Sequence, residues 1–330
     1  MQDTIQNDVK LQLSKAIVFF VLTVNLSLAQ DSIPKPPESK WATWGRVSFL
    51  FNQSAFNADW QGGGVTNISG DIGVSYDIQY KRKRLSWDTK LITEFGLSQV
   101  KEQRYLRKTT DRIDINSILG NQINQSNWNY STIFNFRSQL ISGYRFFNRE
   151  ETNPDGSITT IQDREETSGG FSPSYFQLGL GVLWKKSKNF NLNLAPVTTR
   201  LITVSSNFTN VDVNDPEALE NYEPFFGVEA NKTSRWEVGA ALRGYSKFEI
   251  AKNIHMENVI SLYSDYLDEP ENIDIDYSLN FFLKVNKYIS GNFAFQGIYD
   301  DNTTKGFQIR QVIGLGFKYD LGEKPQPKKA

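Results

Sequence analysis

The stretch Ile68-Ser-Gly-Asp71-Ile-Gly-Val-Ser-Tyr76-Asp-Ile-Gln-Tyr80 decides the fold. Its even positions, Ile68, Gly70, Ile72, Val74, Tyr76, Ile78 and Tyr80, are mostly oily. Its odd positions, Ser69, Asp71, Gly73, Ser75, Asp77 and Gln79, carry hydroxyls, carboxylates, an amide and a glycine. A strand sends alternate side chains to opposite faces, so this strand has one oily and one polar face. The same two-residue period returns at 85–97, 128–144, 273–285 and 307–321, and no sustained helical period interrupts it between 46 and 321.

Strands are expected at 45–56, 66–80, 85–99, 111–123, 128–146, 174–184, 190–204, 234–247, 254–266, 273–285, 290–300 and 306–321. Short polar turns follow the even-numbered strands, at 81–84, 124–127, 185–189, 248–253 and 286–289. The long connections, 147–173 and 205–233, follow odd-numbered strands; those at 57–65, 100–110, 267–272 and 301–305 are intermediate or modest. This parity predicts an all-β fold, an antiparallel transmembrane β-barrel of about 12 strands with both chain ends on the periplasmic side.

A soluble lipocalin-like barrel would alternate in the same way with its oily face turned inward. Many strands here reach the roughly 9–11 residues that cross a bilayer. The polar face also carries Gly73, Gly96, Gly179, Gly181, Gly314 and Gly316, which suits a crowded lumen. Trp87, Trp128, Trp184, Trp236, Tyr144 and Tyr319 fall near strand ends, where a headgroup belt would place them.

Lys10 and Lys15 precede an apolar stretch at 16–24, and Ser27-Leu28-Ala29 offers small residues for cleavage. That stretch falls short of the roughly 20 residues of a spanning helix. Residues 1–29 are therefore expected to be a signal peptide, and 30–44, with Pro34, Pro36 and Pro37, a periplasmic leader. The barrel would occupy 45–321, with 322–330 a disordered periplasmic tail, and the address would be the cell outer membrane. The 36 basic and 37 acidic side chains leave a net charge of -1, which gives no pull towards nucleic acid. The absence of cysteine excludes disulfides, thiolate metal sites and a lipid-modified N-terminal cysteine.

Two further signatures are local. Gly314-Leu-Gly-Phe317-Lys-Tyr319 is similar to the terminal strand recognised by barrel-assembly machinery. Phe51-Asn-Gln53-Ser-Ala-Phe56-Asn-Ala-Asp-Trp60-Gln-Gly62-Gly63, Trp87 through Phe95-Gly96-Leu97, Arg107-Lys108-Thr109-Thr110-Asp111, and Trp128-Asn-Tyr130 through Gln139 and Gly143-Tyr144 form a second set. This set resembles an uncharacterised family of Bacteroidetes outer-membrane barrels, the domain of unknown function 3078. The resemblance implies a Gram-negative outer membrane and a barrel fold, and it implies no chemistry.

Asp71, Asp77, Lys90, Arg137, Arg145, Arg243, Asp274, Asp276, Lys284 and Arg310 are expected to line the lumen as a network of ion pairs. Asp274 and Asp276 lie two apart on one strand, roughly 7 Å from each other, a spacing also compatible with a glycosidase acid and base. The single histidine, His255, sits beside a periplasmic turn, so nucleophilic catalysis has little material. No catalytic residue, metal ligand set or cofactor is assigned; the acidic loop with Asp265, Asp268, Glu269 and Glu271 lacks EF-hand spacing. The loop motif Trp60-Gln-Gly62-Gly63-Gly64 is read as a tight outer hairpin. Asn153-Pro-Asp-Gly156 predicts a turn within 147–173, either above the rim or folded inward.

A 12-stranded barrel is wider than the eight-stranded size whose side chains fill it. The leading expectation is therefore a passive channel for small solutes, with a mixed-charge lumen and no enzymatic activity. The alternative is a closed barrel that serves as an envelope scaffold or assembly partner through its outer loops. Expected partners are outer-membrane lipid, the barrel-assembly machinery during biogenesis and, on the alternative, an envelope protein; nucleic acid is not among them.

Overall fold

A computed structural model describes residues 40–55 and 65–322. The segment expected to be a signal peptide, most of the expected leader, Trp60 with Gly62, Gly63 and Gly64, and the expected tail beyond Gly322 lie outside the described residues. The chain forms β1 (Trp41–Ser54), β2 (Asn67–Arg82), β3 (Leu85–Val100), β4 (Arg107–Gln122), β5 (Trp128–Ser138), β6 (Gly143–Thr152) and β7 (Ile158–Ser168). It continues through β8 (Ser174–Ser187), β9 (Phe190–Thr203), β10 (Ser234–Ala251), β11 (Ile254–Asp265), β12 (Ile273–Lys284), β13 (Ile289–Asp300) and β14 (Thr304–Leu321).

Twelve of these strands close a barrel in the order β1-β14-β13-β12-β11-β10-β9-β8-β5-β4-β3-β2, every pairing antiparallel. The ring shuts where β1 meets β14, Val47 opposite Tyr319 and Leu50 opposite Gly316. β6 and β7 pair only with each other, outside the ring. The short turns gather at one end, where Lys83 and Asn253 accept positive φ to reverse the chain tightly. The long connections gather at the other.

The sidedness excludes a soluble barrel. On β14 the outward series Phe307, Ile309, Ile313, Leu315, Phe317 and Tyr319 is 60–75% exposed. Inside, Glu237 is fully buried, and Asp114, Arg200, Glu257 and Lys318 are nearly so. Water would penalise such an apolar wall, and a hydrocarbon surround would favour it. At the short-turn end Trp41 packs against Tyr80 and Trp87 (4.7 and 5.7 Å between ring centroids), and Trp184 against Trp128 and Phe190 (6.4 and 5.8 Å). These rings make an aromatic girdle at a common level.

Two expectations change. The first strand begins at Trp41, so 41–44 belong to the wall rather than to a leader. The expected strand 128–146 ends at Ser138; after a turn the chain enters the separate β6–β7 hairpin. Arg145 therefore lies on that hairpin, exposed and paired with Glu165 at 2.6 Å, and does not line the lumen. Tyr144 leaves the headgroup belt for the same reason. The predicted turn within 147–173 is present: Gly156, at φ 83°, donates its amide to Asn153 and closes the hairpin tip.

Candidate functional site

Alternation sends the polar half of each strand into the lumen, where charges of opposite sign meet in tiers. Nearest the short turns, Lys90 on β3 reaches Glu257 on β11 at 3.3 Å. Glu257 also accepts from Lys247 and from the Tyr245 hydroxyl, both at 3.2 Å. In the twelve-strand ring β3 and β11 stand opposite one another, so this contact crosses the lumen from wall to wall. Strands about 4.8 Å apart and tilted roughly 40° would enclose a round twelve-stranded barrel about 24 Å across. An extended lysine and glutamate in contact span only about 15 Å. The ring is thus flattened along the β3–β11 direction. Lys185 and Asp88 add a second link at this level, 2.6 Å apart.

A middle tier joins Arg137 on β5 to Asp276 on β12, and Gln296 donates to the same carboxylate at 3.1 Å. Arg112 binds Asp114 at 2.7 Å, and Asn135 donates to Asp114 at 3.3 Å. Arg243 projects among these groups and interacts electrostatically with Asp114 and Asp276. Arg310 donates to the Thr110 hydroxyl at 2.9 Å and lies 3.5 Å from Glu94. Towards the long loops, Arg200 bridges Glu237 (2.5 Å) and Asp274 (2.6 Å). The Asp274 and Asp276 carboxylates are each held by an arginine, which leaves them poorly suited to paired acid and base roles.

The β8–β9 side of the mouth is covered. Connection 205–233 contains a 3-10 turn (Ser206–Phe208) and helix α1 (Pro216–Glu220), capped by Asp215. It then folds inward and packs Phe225, Phe226 and Val228 against Tyr175 and Ile202 on the lumen side of β8 and β9. Arg235 ties this cover to the β11–β12 and β13–β14 loops through Gly227 O (3.4 Å), Asp268 (2.8 Å) and Asn302 (3.1 Å). A cavity of about 230 Å³ remains beside it, lined by Arg200, Asp265, Asp268, Glu269, Asp274 and Asp301 among others. Asp274, Asp300 and Asp301 bring carboxylate oxygens within 4.8 Å of one another, the group among the described residues best placed for a cation, although Arg200 already occupies Asp274.

The remaining expected lumen residues are placed as follows. Asp71 accepts from Thr109 Oγ1 at 3.0 Å and crowds Gly96, where a Cβ would collide with it. Asp77 stands opposite Lys90 in register. Lys284 is exposed at the short-turn end and lies outside the braced region. Sequence reading passed over Glu94, Arg112, Asp114, Arg200, Glu237 and Glu257. All six obey the same inward parity, which was the signal that could have found them.

A second constellation holds the hairpin. Asp111, on the outward face of β4 opposite Phe95, accepts from the amides of Leu140 (2.8 Å) and Ile141 (3.0 Å) and from Lys108 (3.0 Å). Lys108 also donates to Ile141 O and to Gln139, whose amide nitrogen binds Gly169 O (2.7 Å) and Ser172 O (3.1 Å). The turn after β5 is thereby clasped to the wall from outside, at the base of β6–β7. Asp111→Ala would leave two half-buried amides without an acceptor. We expect limited proteolysis of the hairpin to accelerate by about tenfold or more, since such losses cost about 1–3 kcal/mol each; an unchanged cleavage rate would contradict the clasp.

The fold and the inverted polarity define a twelve-stranded membrane-type β-barrel with a cross-braced lumen and a clasped outer hairpin. Residues 51–144 match the profile of a family described as a protein of unknown function (DUF3078), in agreement with the resemblance in sequence. The clasp residues Lys108, Asp111, Gln139, Leu140 and Ile141 lie within that segment. No functionally curated protein matches the chain in sequence. Among solved structures, an outer membrane channel from Pseudomonas putida F1 is similar, at 10% identity and TM-score 0.38, over 89% of this chain and 99% of its own. The translocator domain of the autotransporter NalP from Neisseria meningitidis is similar at 8% identity and TM-score 0.36, over 94% and 97%. The toluene transporter TodX of P. putida is similar at 8% identity and TM-score 0.31, over 88% and 81%.

Proposed function

We propose that this chain is an outer-membrane β-barrel whose lumen is held shut, and that it works from its long-loop end as an envelope scaffold or assembly partner. The observation that carries this reading is the Lys90–Glu257 contact between opposite walls. The Arg137–Asp276 pair and the inward cover of 205–233 support it at two further levels. In this reading the short turns face the periplasm, the clasped hairpin and connection 205–233 face outward, and an envelope protein is the partner. Passive permeation of small polar solutes is the second reading, favoured by the mixed-charge lining and the cavity at the mouth.

Swelling of proteoliposomes in small sugars and amino acids separates the two. Folded wild-type protein is expected to swell no faster than protein-free vesicles. Rapid, size-limited swelling would favour the channel and count against the closed barrel.

A further inference from the structure

The closed lumen and the clasp leave one set of charges unused. Arg104, Arg107 and Arg164 converge where connection 101–106 meets the hairpin, Arg104 N donating to Gln162 Oε1 at 3.1 Å. Their guanidinium groups stack on aromatic rings. Arg164 sits 4.0 Å from the ring centroid of Tyr144 and 4.8 Å from that of Tyr105. Arg104 lies 5.2 Å from Tyr105, and Arg107 4.8 Å from Phe146. Tyr105 is buried at the centre of the stack.

Two of the hairpin carboxylates are committed elsewhere, Glu165 to Arg145 (2.6 Å) and Asp163 to Arg149 (2.9 Å). The Arg164 amide bond, then Arg149 and, last, the charge of Arg104 hold the Asp163 carboxyl below its usual range. Among the described residues no carboxylate forms a salt bridge with Arg104, Arg107 or Arg164, and the buried Nε of Arg107 has no acceptor. Stacking on a ring face fixes a guanidinium plane while its N–H groups stay in that plane, which is how arginine presents itself to phosphate oxygens. Leu106, between two of these arginines, is 43% exposed, and the clasp sets this corner beside the outward wall of β4.

We propose that Arg104, Arg107 and Arg164 form a binding site for the phosphomonoester headgroup of a lipid in the surrounding leaflet. The proposal rests on the barrel lying in a membrane and is independent of whether its lumen conducts. Native mass spectrometry of the full chain in detergent, titrated with phosphatidic acid, phosphatidylcholine or inorganic phosphate, tests it.

Wild-type protein is expected to retain phosphatidic acid over phosphatidylcholine. The Arg104→Gln, Arg107→Gln, Arg164→Gln triple variant should bind phosphatidic acid about tenfold more weakly or worse. An Arg145→Gln, Arg149→Gln variant should match wild type, and the single Arg104→Gln change, at an exposed position, covers the case in which the triple variant does not fold. Equal retention by wild type and the arginine variants would overturn the site. Displacement of phosphatidic acid by equimolar inorganic phosphate would overturn the lipid assignment in favour of a free anion. Loss of lipid retention without any change in vesicle swelling would separate this result from the test of the closed lumen.

Discussion

A barrel carrying Lys90→Ala, Glu257→Ala, Arg137→Ala and Asp276→Ala together is expected to open discrete conductances in planar bilayers where the wild type is silent. The four changes remove both wall-to-wall pairs, cation and anion together, and strip the carboxylate only from Lys247, whose side chain is partly exposed. Burying a lone charge is what costs most, so the quadruple variant should keep its folded, heat-modifiable gel mobility. Opening events should rise by about tenfold or more, because the polar lining left behind is what an aqueous path requires. Glu257→Ala alone should behave differently. It leaves Lys90 and Lys247 facing each other without their shared carboxylate, and we expect it to destabilise the barrel by roughly 3–5 kcal/mol without conduction. Silence of the quadruple variant, once shown to be folded and inserted, would place the block in the mouth cover rather than in the braces.

Gly316→Leu is expected to abolish the folded band. Gly316 stands on the closing strand opposite Leu50, and a Cβ there would collide with the Phe49 carbonyl and come within 2.9 Å of Leu50 Cα. Both contacts are backbone, so no rotamer change relieves them, and overpacking of this kind costs about 3 kcal/mol or more. The damage falls on the β1–β14 seam, the last pairing needed to hide two sheet edges from lipid. Ile313→Leu, three residues away and 75% exposed on the outward face, should fold like wild type. Survival of the Gly316→Leu barrel would mean that the seam is looser than its register indicates.

The barrel was legible because one signal, alternation, is repeated along the strands of the ring, and the turn lengths reinforce it. Reading failed where that signal loses contrast. Between Gln139 and Gly143 the adjacent pair Leu140-Ile141 breaks the period, yet the aromatic residues of Gly143-Tyr-Arg-Phe146 restore it and conceal the break. Past Phe147 the hairpin carries polar residues on both faces, as in Asn148-Arg-Glu-Glu-Thr152 and Gln162-Asp-Arg-Glu-Glu-Thr-Ser168, so no oily face marks it. Parity also identifies which side chains face inward, and register sets their height along the barrel. Neither says which wall a side chain will meet. Lys90 and Glu257 are separated by 167 positions and by half the ring, and their contact depends on a flattened cross-section. The width expected for a round barrel pointed to an open channel; the flattening brings opposite walls within side-chain reach.

The chain has no cysteine, so paired cysteines can report that cross-section directly. In the folded Lys90→Cys, Glu257→Cys variant, a short bismaleimide is expected to give an intramolecular cross-link as readily as in the neighbouring-strand control Asp77→Cys, Lys90→Cys. Efficient cross-linking of the control, with only single-site labelling of the 90–257 pair, would show that the walls stand too far apart to be braced and would contradict the closed lumen.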